Sequence, residues 1–597
     1  MSAQAVPYPP PPGLPQLAAQ LPCSHGSGCP LGVDVPALVR AIRNGDHPRA
    51  FLIARASNPF ASTCGHGCHA PCESACRRSK FGAPVAIASL ERFASGFAIP
   101  ALLASPEPCT SLHDARSVAA LVRRSVDDAS RPARPGRSVA ILGGGITGLA
   151  CAHDLALLGH RPVIFEREPE VGGVIVNRLL AARMPVASIR AESAAIADLG
   201  VEIRPHRSLD APDTLDRLLS EGFDAVFIAV GASGPAEPLF PHDDSIGVSD
   251  AADVDAAAVR AARSVVVCGE GALALDTAML LAREQAPGEQ RAVHLVLDSP
   301  AATPSLSMLS AARRAGVTFH VGWIPSRILR STEDSAITGL ELTSETKQSV
   351  MVIGCEHIVT AARRVPRGTF LAALERSEGG YIAVDPESLR TTKSRVWAGG
   401  ACAYGHRSIA HAIADGKRAA WSIHGALTAT RVRPSLTSAW IEVPDELAER
   451  AGAALATTRR SLPLFDAPPG DPFSGDGAGS VDESMREASR CLDCTVAPAI
   501  LESCTGCGKC VKTCATGALS LDGDPQRAVV EQDLCTRCGD CVSSCPESAI
   551  ALVRAVWENR LMLEPEPSTM LGLLDRPPQP VDSAAIGTRD SGLGTRQ

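Results

Sequence analysis

The chain has 597 residues, of which 45% are hydrophobic and 20% are charged, so we expect several domains with buried cores. The net charge of −8 argues against a nucleic-acid-binding protein. We find no apolar run long enough to span a bilayer, and the first residues lack the basic start and apolar stretch of a secretory signal. Because clustered cysteines without such a signal are typical of metal ligands in a reducing compartment, we expect a cytoplasmic protein.

The amino-terminal part combines a Pro-rich arm, 1–22, with a cysteine-rich region, 23–130, that is helical in pattern. Cys23 and Cys29 come first in this region. Four cysteines at four-residue intervals follow: Cys64, Cys68, Cys72 and Cys76. That spacing fits one face of a helix, but Pro71 makes a continuous helix improbable. We expect a small α-helical domain that binds metal through these thiols.

Residues 131–260 begin with a strand, 138–142, that runs into a glycine-rich turn and an Ala/Leu-rich helix. A second strand then ends at an acidic residue. The motif residues are Gly143, Gly145, Gly148 and Glu166. Such glycines allow a tight turn and close approach to a pyrophosphate, and the acid accepts bonds from ribose hydroxyls. The pattern predicts a Rossmann-like dinucleotide site, with a ligand-free glycine turn as the alternative.

Residues 261–385 repeat this pattern more weakly, because Ala274 stands where the third glycine would be. The motif residues are Gly269, Gly271 and Asp276, and the next strand ends at Asp298. Residues 386–430 then carry a late glycine pair, Gly399 and Gly400. Strands and helices alternate throughout this part of the chain, which is typical of parallel-sheet α/β domains.

Two identical cysteine combs follow a linker, 431–480, in the region 481–555. Three cysteines at two-residue intervals place three thiolates on one loop, which fits three corners of a [4Fe-4S] cubane. The fourth cysteine of each comb reaches the other cluster, as in bacterial two-cluster ferredoxins. We therefore expect an α+β ferredoxin-like domain with one cluster on Cys504, Cys507, Cys510 and Cys545 and another on Cys535, Cys538, Cys541 and Cys514. Structural zinc is the alternative, and the tail, 556–597, is expected to be disordered.

Three segments resemble the glutamate synthase small subunit and related flavin oxidoreductases, a module that dihydropyrimidine dehydrogenase shares. They are residues 223–231, residues 168–173 with Gly173, and residues 183–185 with Arg183. The resemblance runs from about residue 23 to residue 425. It implies that 131–260 and 386–430 form one FAD-binding domain and that 261–385 is an inserted NAD(P)H-binding domain.

The chain departs from this family at two positions. An acid that contacts the ribityl chain of the flavin follows the late glycine pair in the family, whereas this chain has Ala401; the backbone donors of Gly399 and Gly400 remain. NADPH users carry paired arginines after the second strand of the inserted fold, whereas this chain has Asp298. Because a carboxylate there would repel a 2′-phosphate, we expect NADH to be the favoured nicotinamide.

The resemblance also implies two cubane clusters in the amino-terminal domain, which would bring the total to four. One cluster would use the cysteine before Pro30 together with three from the later run: Cys29, Cys68, Cys72 and Cys76. Cys64 would then have no ligand role.

The motif for the other amino-terminal cluster stands far away in this chain, at Cys491 and Cys494. We expect these cysteines to fold back and join Cys23. Glu91 would be the fourth ligand, because it matches an iron-binding glutamine of dihydropyrimidine dehydrogenase. A structural or zinc-binding pair at Cys491 and Cys494 is the alternative.

These features predict an oxidoreductase in which NAD(P)H, FAD and iron–sulfur clusters exchange electrons with a ferredoxin or with a catalytic subunit of a hetero-oligomeric complex. One alternative is a non-catalytic electron-wiring subunit in which Ala401 and Asp298 mark decayed nucleotide sites. Another is a glutamate synthase small subunit, although the fused ferredoxin unit is not part of that pattern.

Overall fold

The computed structural model of the chain describes residues 23–24, 28–68, 70–104, 136–177, 186–235, 247–251, 257–269, 271–283, 291–297, 309, 312–344, 349–361, 364–442 and 481–565. Within these ranges, no helix is both long enough and apolar enough to cross a membrane. The arm, 1–22, lies outside them, as does the part of the tail beyond residue 565.

The amino-terminal domain is built from short helices. They are α1 (Val35–Arg43), α2 (His47–Ser57), α3 (Ala61–Gly67), α4 (Pro71–Ser74) and α5 (Ile87–Ala104), with a 3₁₀ turn at Arg77–Phe81. Asp34 and Asp46 cap α1 and α2, because their carboxylates accept the backbone N–H of Ala37 at 3.0 Å and of Arg49 at 3.2 Å. The cysteine run is divided between two helices, since α3 ends at Gly67 and α4 starts at Pro71.

The first nucleotide domain contains a five-stranded sheet. Its strands are β1 (Ser138–Leu142), β2 (Arg161–Phe165), β3 (Glu202–Arg204), β4 (Ala225–Ile228) and β15 (Val396–Ala398), and its helices are α6 (Ile146–Leu157), α7 (Val174–Asn177), α8 (Val186–Ala197), α9 (Thr214–Ser220), α12 (Ala401–Tyr404) and α13 (Ile409–Thr428). The strands are parallel, in the order β15-β4-β1-β2-β3. Apolar runs such as β1 and β4 are buried because helices cover both faces of a parallel sheet.

The second nucleotide domain lies between β4 and β15 in the chain. Its elements are β6 (Val248–Asp250), α10 (Ala257–Ala261), β7 (Ser264–Gly269), α11 (Gly271–Arg283), β8 (Ala292–Leu297), β9 (Val317–Val321), β10 (Ile324–Arg330), β11 (Ile337–Ser344), β12 (Ser349–Ile353) and β13 (His357–Ala361). Strands β6-β13-β7-β8-β9 form a parallel sheet, and β10-β11-β12 form an antiparallel one. The sheet begins at Val248, before residue 261, because β6 pairs in parallel with β13. The chain passes twice between the two nucleotide domains. The short strands β5 (Gly234–Pro235) and β14 (Arg364–Val365) lie in these two connections and pair with each other antiparallel.

One hydrophobic core runs through the amino-terminal helices and the first nucleotide domain. Leu38, Leu90 and Phe93 of the helices belong to the same buried cluster as Ile141 and Leu149 of the sheet and its first helix. Continuous apolar packing of this kind holds the two domains in a fixed relation, because separating them would expose the shared core to water.

The carboxyl-terminal domain has the expected pair of cysteine loops. Its elements are α14 (Val481–Ala488), β17 (Val496–Ile500), α15 (Lys509–Thr513), β18 (Leu519–Asp522), β19 (Arg527–Val530), α16 (Asp540–Ser543) and β20 (Ile550–Pro565). β20 pairs antiparallel with β17 and also with β16 (Thr430–Glu442). We expected 431–480 to be a linker and 556–597 to be a disordered tail. The first range contributes to β16 and the second to β20, because these two strands supply backbone hydrogen bonds to each other.

Candidate nucleotide cleft and iron–sulfur sites

A large cleft, of about 2670 Å³ with its open mouth, opens at the carboxyl ends of the first sheet. It is lined by the glycine turn after β1, by Glu166 and by the late glycine pair. Ligands of doubly wound sheets bind at this edge, where neighbouring connections run to opposite faces. We call this space the nucleotide cleft.

At Gly143, Gly144 and Gly148, the glycine turn after β1 leaves no room for side chains. Gly143 has φ +105°, and a Cβ on Gly148 would lie 2.0 Å from the carbonyl oxygen of Gly143. A Cβ on Gly144 would lie 2.6 Å from Val171. Glu166 is 6% exposed and its carboxylate accepts the N–H of Gly144 at 2.7 Å. The bare backbone and the fixed acid fit the pyrophosphate and ribose of a dinucleotide.

Ala401 stands where the resembled family has an acid, but another carboxylate, that of Asp415, lines the cleft nearby. Asp415 is 2% exposed, and its Oδ2 lies 3.3 Å from the N–H of Gly400. Arg407 donates to the same oxygen, and Arg418 lies 3.5 Å from the other. Sequence reasoning missed Asp415 as a site residue, although it stands in the helix that follows the glycine pair.

The second nucleotide fold contributes to the same cleft through Leu273 and Asp276 of α11. Gly269 ends β7 against β13, where a Cβ would lie 2.2 Å from the carbonyl oxygen of Ala361. Gly173 also lines the cleft. Two of the expected site residues, Arg183 and Asp298, lie outside the described residues.

The ferredoxin-like domain encloses two small spaces, each lined by thiols from both combs. The first, which we call site IV, is lined by Cys504, Cys507, Cys510 and Cys545. The second, site III, is lined by Cys514, Cys535, Cys538 and Cys541. The structure thus brings together the crossed sets that the spacing predicts. The fourth cysteine of each comb accepts a similar hydrogen bond. The backbone N–H of Ala518 donates to the Cys514 sulfur, and that of Ala549 donates to the Cys545 sulfur, each at 3.2 Å.

Among the residues that the structure describes, no three His, Cys, Asp or Glu side chains converge closely enough to hold a single metal ion. A cubane makes a different demand, because its irons sit at separate corners and its ligands surround a core. Spaces lined by four thiols meet that demand.

Four cysteines from opposite ends of the chain meet in a further group, site II: Cys23, Cys76, Cys491 and Cys494. Burial raises the pKa of Cys23 well above its usual value, and the charges of Cys494, Cys76 and Cys491 raise it further. Burial likewise raises the pKa of Cys491, with contributions from Asp493, Cys494 and Cys76. Thiolates that are buried together repel one another, and a cationic metal core removes that repulsion.

Site I consists of Cys29, Cys68, Cys72 and Glu91. Burial raises the pKa of Cys29 to about 12, and the charges of Glu91 and Cys68 add to the effect. Burial also raises the pKa of Cys72 well above its usual value, followed by the charges of Cys68 and Cys29. The donor chemistry fits a cluster held by three thiolates and one carboxylate.

This grouping differs from the expected division of the amino-terminal ligands, in which Cys76 joined Cys29 and Glu91 joined Cys23. The backbone explains the exchange. Cys72 lies within α4, whereas Cys76 lies beyond its end in an extended conformation, with ψ of 120°, and so enters the neighbouring space. Glu91 lies on α5, which packs against α3 beside Cys68.

The segment that carries Cys491 and Cys494 is docked on the amino-terminal domain. Arg490 and Glu487 are almost fully buried and pair at 2.6 Å. Arg490 also donates to the carbonyl oxygens of Pro84 at 3.0 Å and Ala83 at 2.6 Å. These bonds explain how a motif more than 400 residues away returns to Cys23.

Arg40 of α1 adds a second anchor for this segment. It donates to both carboxylate oxygens of Asp493, at 3.0 and 2.8 Å. Both contacts come from Nη1, and this charge-assisted pair ties α1 to the segment that carries Cys491 and Cys494.

Two neighbours of site I were not expected from the sequence to act there. Asn58 is fully buried, and its side-chain N–H donates to Glu91 Oε1 at 3.1 Å. Cys64 is 3% exposed, and its neighbour Cys68 and its burial raise its pKa well above the usual value. The position of Cys64 beside Cys68 could have been predicted from the sequence, because Cys64 precedes Cys68 by one helical turn.

Helix α3 links site I to the nucleotide cleft. Gly67, which directly precedes Cys68, lines the cleft. The buried carboxylate of Glu192 on α8 accepts bonds from the Ser62 N–H at 2.8 Å and the Thr63 hydroxyl at 2.6 Å. The nucleotide cleft and site I therefore share one wall.

Three family models match the chain. The description "Pyridine nucleotide-disulphide oxidoreductase" matches residues 137–416, "Dihydropyrimidine dehydrogenase domain II, 4Fe-4S cluster" matches residues 19–100, and "4Fe-4S dicluster domain" matches residues 503–549. They cover the first nucleotide domain with its insertion, the amino-terminal helices and the two cysteine combs, respectively. They confirm the resemblance proposed from the sequence.

Curated relatives cover large parts of the chain. The NADP(+)-dependent formate dehydrogenase subunit beta of Moorella thermoacetica is 29% identical over 511 residues, 78% of this chain and 69% of that protein. The NADPH-Fe(3+) oxidoreductase subunit beta of Geobacter sulfurreducens is 29% identical over 52% of this chain, which spans only 44% of that relative. The NAD-dependent dihydropyrimidine dehydrogenase subunit PreT of Escherichia coli is 26% identical over 68% of this chain and 91% of its own length.

The glycine turns, the cysteine sites and these matches agree with one another. The coarse fold expected from the sequence is confirmed, with Rossmann-like parallel sheets between iron–sulfur domains at both ends. The chain therefore resembles a pyridine nucleotide-disulphide oxidoreductase domain that lies between two kinds of 4Fe-4S domain, and the relatives that it matches are named as subunits of NAD- or NADP-dependent redox enzymes.

Proposed function

We propose that this chain is an NAD(P)H-dependent oxidoreductase subunit that transfers electrons between a nicotinamide, FAD and four [4Fe-4S] clusters, and exchanges them with a ferredoxin or a partner catalytic subunit. The observation that carries the proposal is the position of Gly67. It lines the nucleotide cleft and directly precedes Cys68 of site I. A bound flavin supplies the step from hydride to single electrons, and clusters accept electrons singly.

The residues around the nucleotide cleft have distinct binding roles in this proposal. The glycine turn after β1 and Glu166 hold the pyrophosphate and ribose of FAD, and Gly399 and Gly400 offer backbone donors. Asp415 fixes the late glycine pair through the Gly400 N–H. Gly269, Gly271 and Asp276 of the second fold hold the nicotinamide dinucleotide on the opposite side.

The four cysteine sites follow one another away from the cleft. Sites I and II are adjacent because Cys72 and Cys76 flank the end of α4. Sites II and III are adjacent because Arg77, next to Cys76, pairs at 2.8 Å with Asp533, two residues before Cys535. Arg537 of site III's loop also donates to the carbonyl oxygen of Val496 at 3.2 Å.

Site IV stands at the far end of this series. Among the described cysteines, Cys507 of site IV is the one that is exposed. This exposure supports site IV as the point at which the partner redox protein receives or delivers electrons. The relatives named as subunits beta support a hetero-oligomeric assembly for this chain.

The preference for NADH stays part of the proposal and rests on Asp298. The relatives differ in the nicotinamide that their names specify: two names give NADP or NADPH, and one gives NAD. The preference therefore has to be measured on this chain.

The rival reading is a non-catalytic wiring subunit, which the loss of the acid at Ala401 favours. Absorption spectra of anaerobically purified protein separate the two readings. We expect a flavin spectrum that bleaches on addition of NADH, together with about sixteen irons per chain. Protein that contains its irons but no flavin would support the wiring subunit. About eight irons would mean that sites I and II are empty.

A further inference from the structure

The loops of sites III and IV differ at one matching position. Both cysteine combs begin Cys-Thr-x-Cys, and x is Gly506 in site IV and Arg537 in site III. Both residues have a left-handed backbone, with φ of +68° and +62°. A Cβ on Gly506 would lie 2.3 Å from the carbonyl oxygen of Gln526, so site IV has no room for a side chain there. An arginine in this conformation carries a backbone cost that a glycine avoids, so its side chain has to offset that cost.

The side chain of Arg537 is buried against the site III loop. It is 3% exposed and lines site III. Its guanidinium donates to the carbonyl oxygens of Cys535, of Gln532 at 3.1 Å and of Val496 at 3.2 Å. All its hydrogen-bond acceptors among the described residues are therefore neutral backbone groups. A guanidinium stays charged in proteins, so these bonds satisfy its N–H groups without cancelling its charge.

Arg537 also distinguishes the charge around site III from that around site IV. Apart from the cysteines, one charged residue of the described chain lines site IV, Glu547, and two line site III, Arg537 and Asp540. Glu547 and Asp540 are both exposed, so solvent and salt screen them alike. Arg537 is buried and is screened much less. The guanidinium thus adds to site III a fixed positive charge that site IV lacks.

The same side chain connects site III to site II. Val496, whose carbonyl oxygen accepts from Arg537, follows Cys494 of site II by two residues and begins β17. Cys535, whose carbonyl oxygen accepts from the other end of the guanidinium, lines site III. Arg537 therefore bonds at once to the loop of one site and to the strand that continues from the other.

We propose that Arg537 is a positioning residue that holds site III beside site II and, through its charge, makes site III easier to reduce. The inference rests on the proposed function, because it assumes clusters in both sites. Reduction adds one negative charge to a cluster that four thiolates already make negative, and a nearby cation stabilises that charge. Arg537 therefore favours transfer of one electron from site II, which is oxidised, to site III, which is reduced.

The test compares Arg537→Gln, which removes the charge, with Arg537→Lys, which keeps it, in the full-length, cluster-loaded protein. In an EPR-monitored redox titration, Arg537→Gln should lower the equilibrium constant for reduction of site III about tenfold, a shift of about 59 mV to more negative potential. The site III midpoint of Arg537→Lys should stay close to that of the wild type. Arg537→Gly, which repeats the residue of site IV, is a second uncharged variant and should show the same shift as Arg537→Gln.

Iron analysis separates a change of potential from loss of the cluster. All three Arg537 variants should keep about sixteen irons, because no ligand is lost. The matched control is Arg527→Gln. Arg527 also donates to a backbone carbonyl of this domain, that of Leu501 at 2.6 Å, but lines neither space, so the site III midpoint should not change. The signal of site III is identified by Cys538→Ser, which exchanges a sulfur for an oxygen ligand of that site.

Three results would overturn the proposal. The first is an unchanged site III midpoint in Arg537→Gln at full iron content. The second is an equal shift in Arg537→Lys and Arg537→Gln, because the charge would then not be its cause. The third is loss of about four irons in all three Arg537 variants, which would give the residue a structural role only. Failure of the proposed function would look different, since the wild type itself would then lack flavin or the irons of site III.

Discussion

Glu192 shows how a single carboxyl links an iron–sulfur helix to the nucleotide domain. Burial raises its pKa from the ordinary 4.5 to about 7, and the bonds from Thr63 and Ser62 together with the charge of Arg55 oppose this rise. A raised pKa means that folding favours the protonated carboxyl. Its contribution to stability is therefore complete below the ordinary pKa of 4.5 and is lost as the pH rises to about 7.

Replacing Glu192 by Gln should flatten this pH dependence. We expect the wild type to lose more thermal stability than Glu192→Gln between about pH 5 and pH 8, because only the wild type must ionise a buried group. Melting temperatures of the two proteins across this pH range provide the measurement. Glu221→Gln, at an exposed position, serves as the control. Parallel curves for wild type and Glu192→Gln would contradict the assignment.

We expect the choice of nicotinamide to be decided by one residue as well. Asp298 follows β8, and its carboxylate would repel a 2′-phosphate and accept bonds from a 2′-hydroxyl. We expect a higher kcat/KM with NADH than with NADPH in an anaerobic dye-reduction assay. Asp298→Ala should narrow the ratio about tenfold, the effect of roughly 1.4 kcal/mol. Glu333→Ala, an exposed acid of the same domain, should leave it unchanged. A wild type that prefers NADPH would refute the assignment.

At the scale of elements, α14 acts as an anchor between the two ends of the chain. Its Glu487 accepts the backbone N–H of Ala86 at 2.9 Å, and the next turn supplies Arg490 to the carbonyl oxygens of Ala83 and Pro84. A buried ion pair with all its bonds made is costly to break from one side, by about 3–5 kcal/mol. The pair is therefore the buried one of two anchors for Cys491 and Cys494, the other being the bond from Arg40 to Asp493.

Arg490→Met should release this anchor. The substitution leaves Glu487 buried without its partner, so site II should lose its irons, about four per chain, while the signals of sites III and IV persist. Iron analysis with EPR spectroscopy tests this expectation. Arg486→Met makes the same change at an exposed position of α14, one turn earlier in the chain, and should retain all irons. Full iron content in Arg490→Met would show that α14 is not required for site II.

At the scale of the molecule, the proposed function places the four sites in a series from the nucleotide cleft to Cys507. The amino-terminal and carboxyl-terminal domains meet through Arg40 with Asp493 and through Arg77 and Lys80 with Asp533. The shared core of the amino-terminal helices and the first nucleotide domain fixes the other end. Electron transfer depends on such fixed spacing, which the protein supplies and the cofactors do not.

The double variant Cys491→Ser with Cys494→Ser tests whether site II takes its ligands from both ends of the chain. It should remove about four irons and leave the ferredoxin-type signals unchanged. The matched control is the double variant Cys268→Ser with Cys355→Ser, two buried cysteines of the second nucleotide domain, which should keep every iron. An unchanged iron content in Cys491→Ser with Cys494→Ser would end the proposed ligand set.

The cysteine combs and the glycine turns were readable from the sequence because their chemistry depends on residues that are close together in the chain. Three thiols on one loop or three glycines at one strand end need little knowledge of the rest of the fold. The coarse domain order followed from the same local signals.

Other features depended on where distant segments pack. The places of Cys76 and Glu91, the contact of Cys64 with Cys68 and the approach of Asp415 to Gly400 are set by helix ends and helix faces, which spacing alone does not specify. β16 and β20 were missed because β16 pairs with β20, more than 100 residues away, and β20 is completed by β16 and β17 together. The sequence by itself determined which groups can bind the cofactors, and only the tertiary structure decided which of them meet.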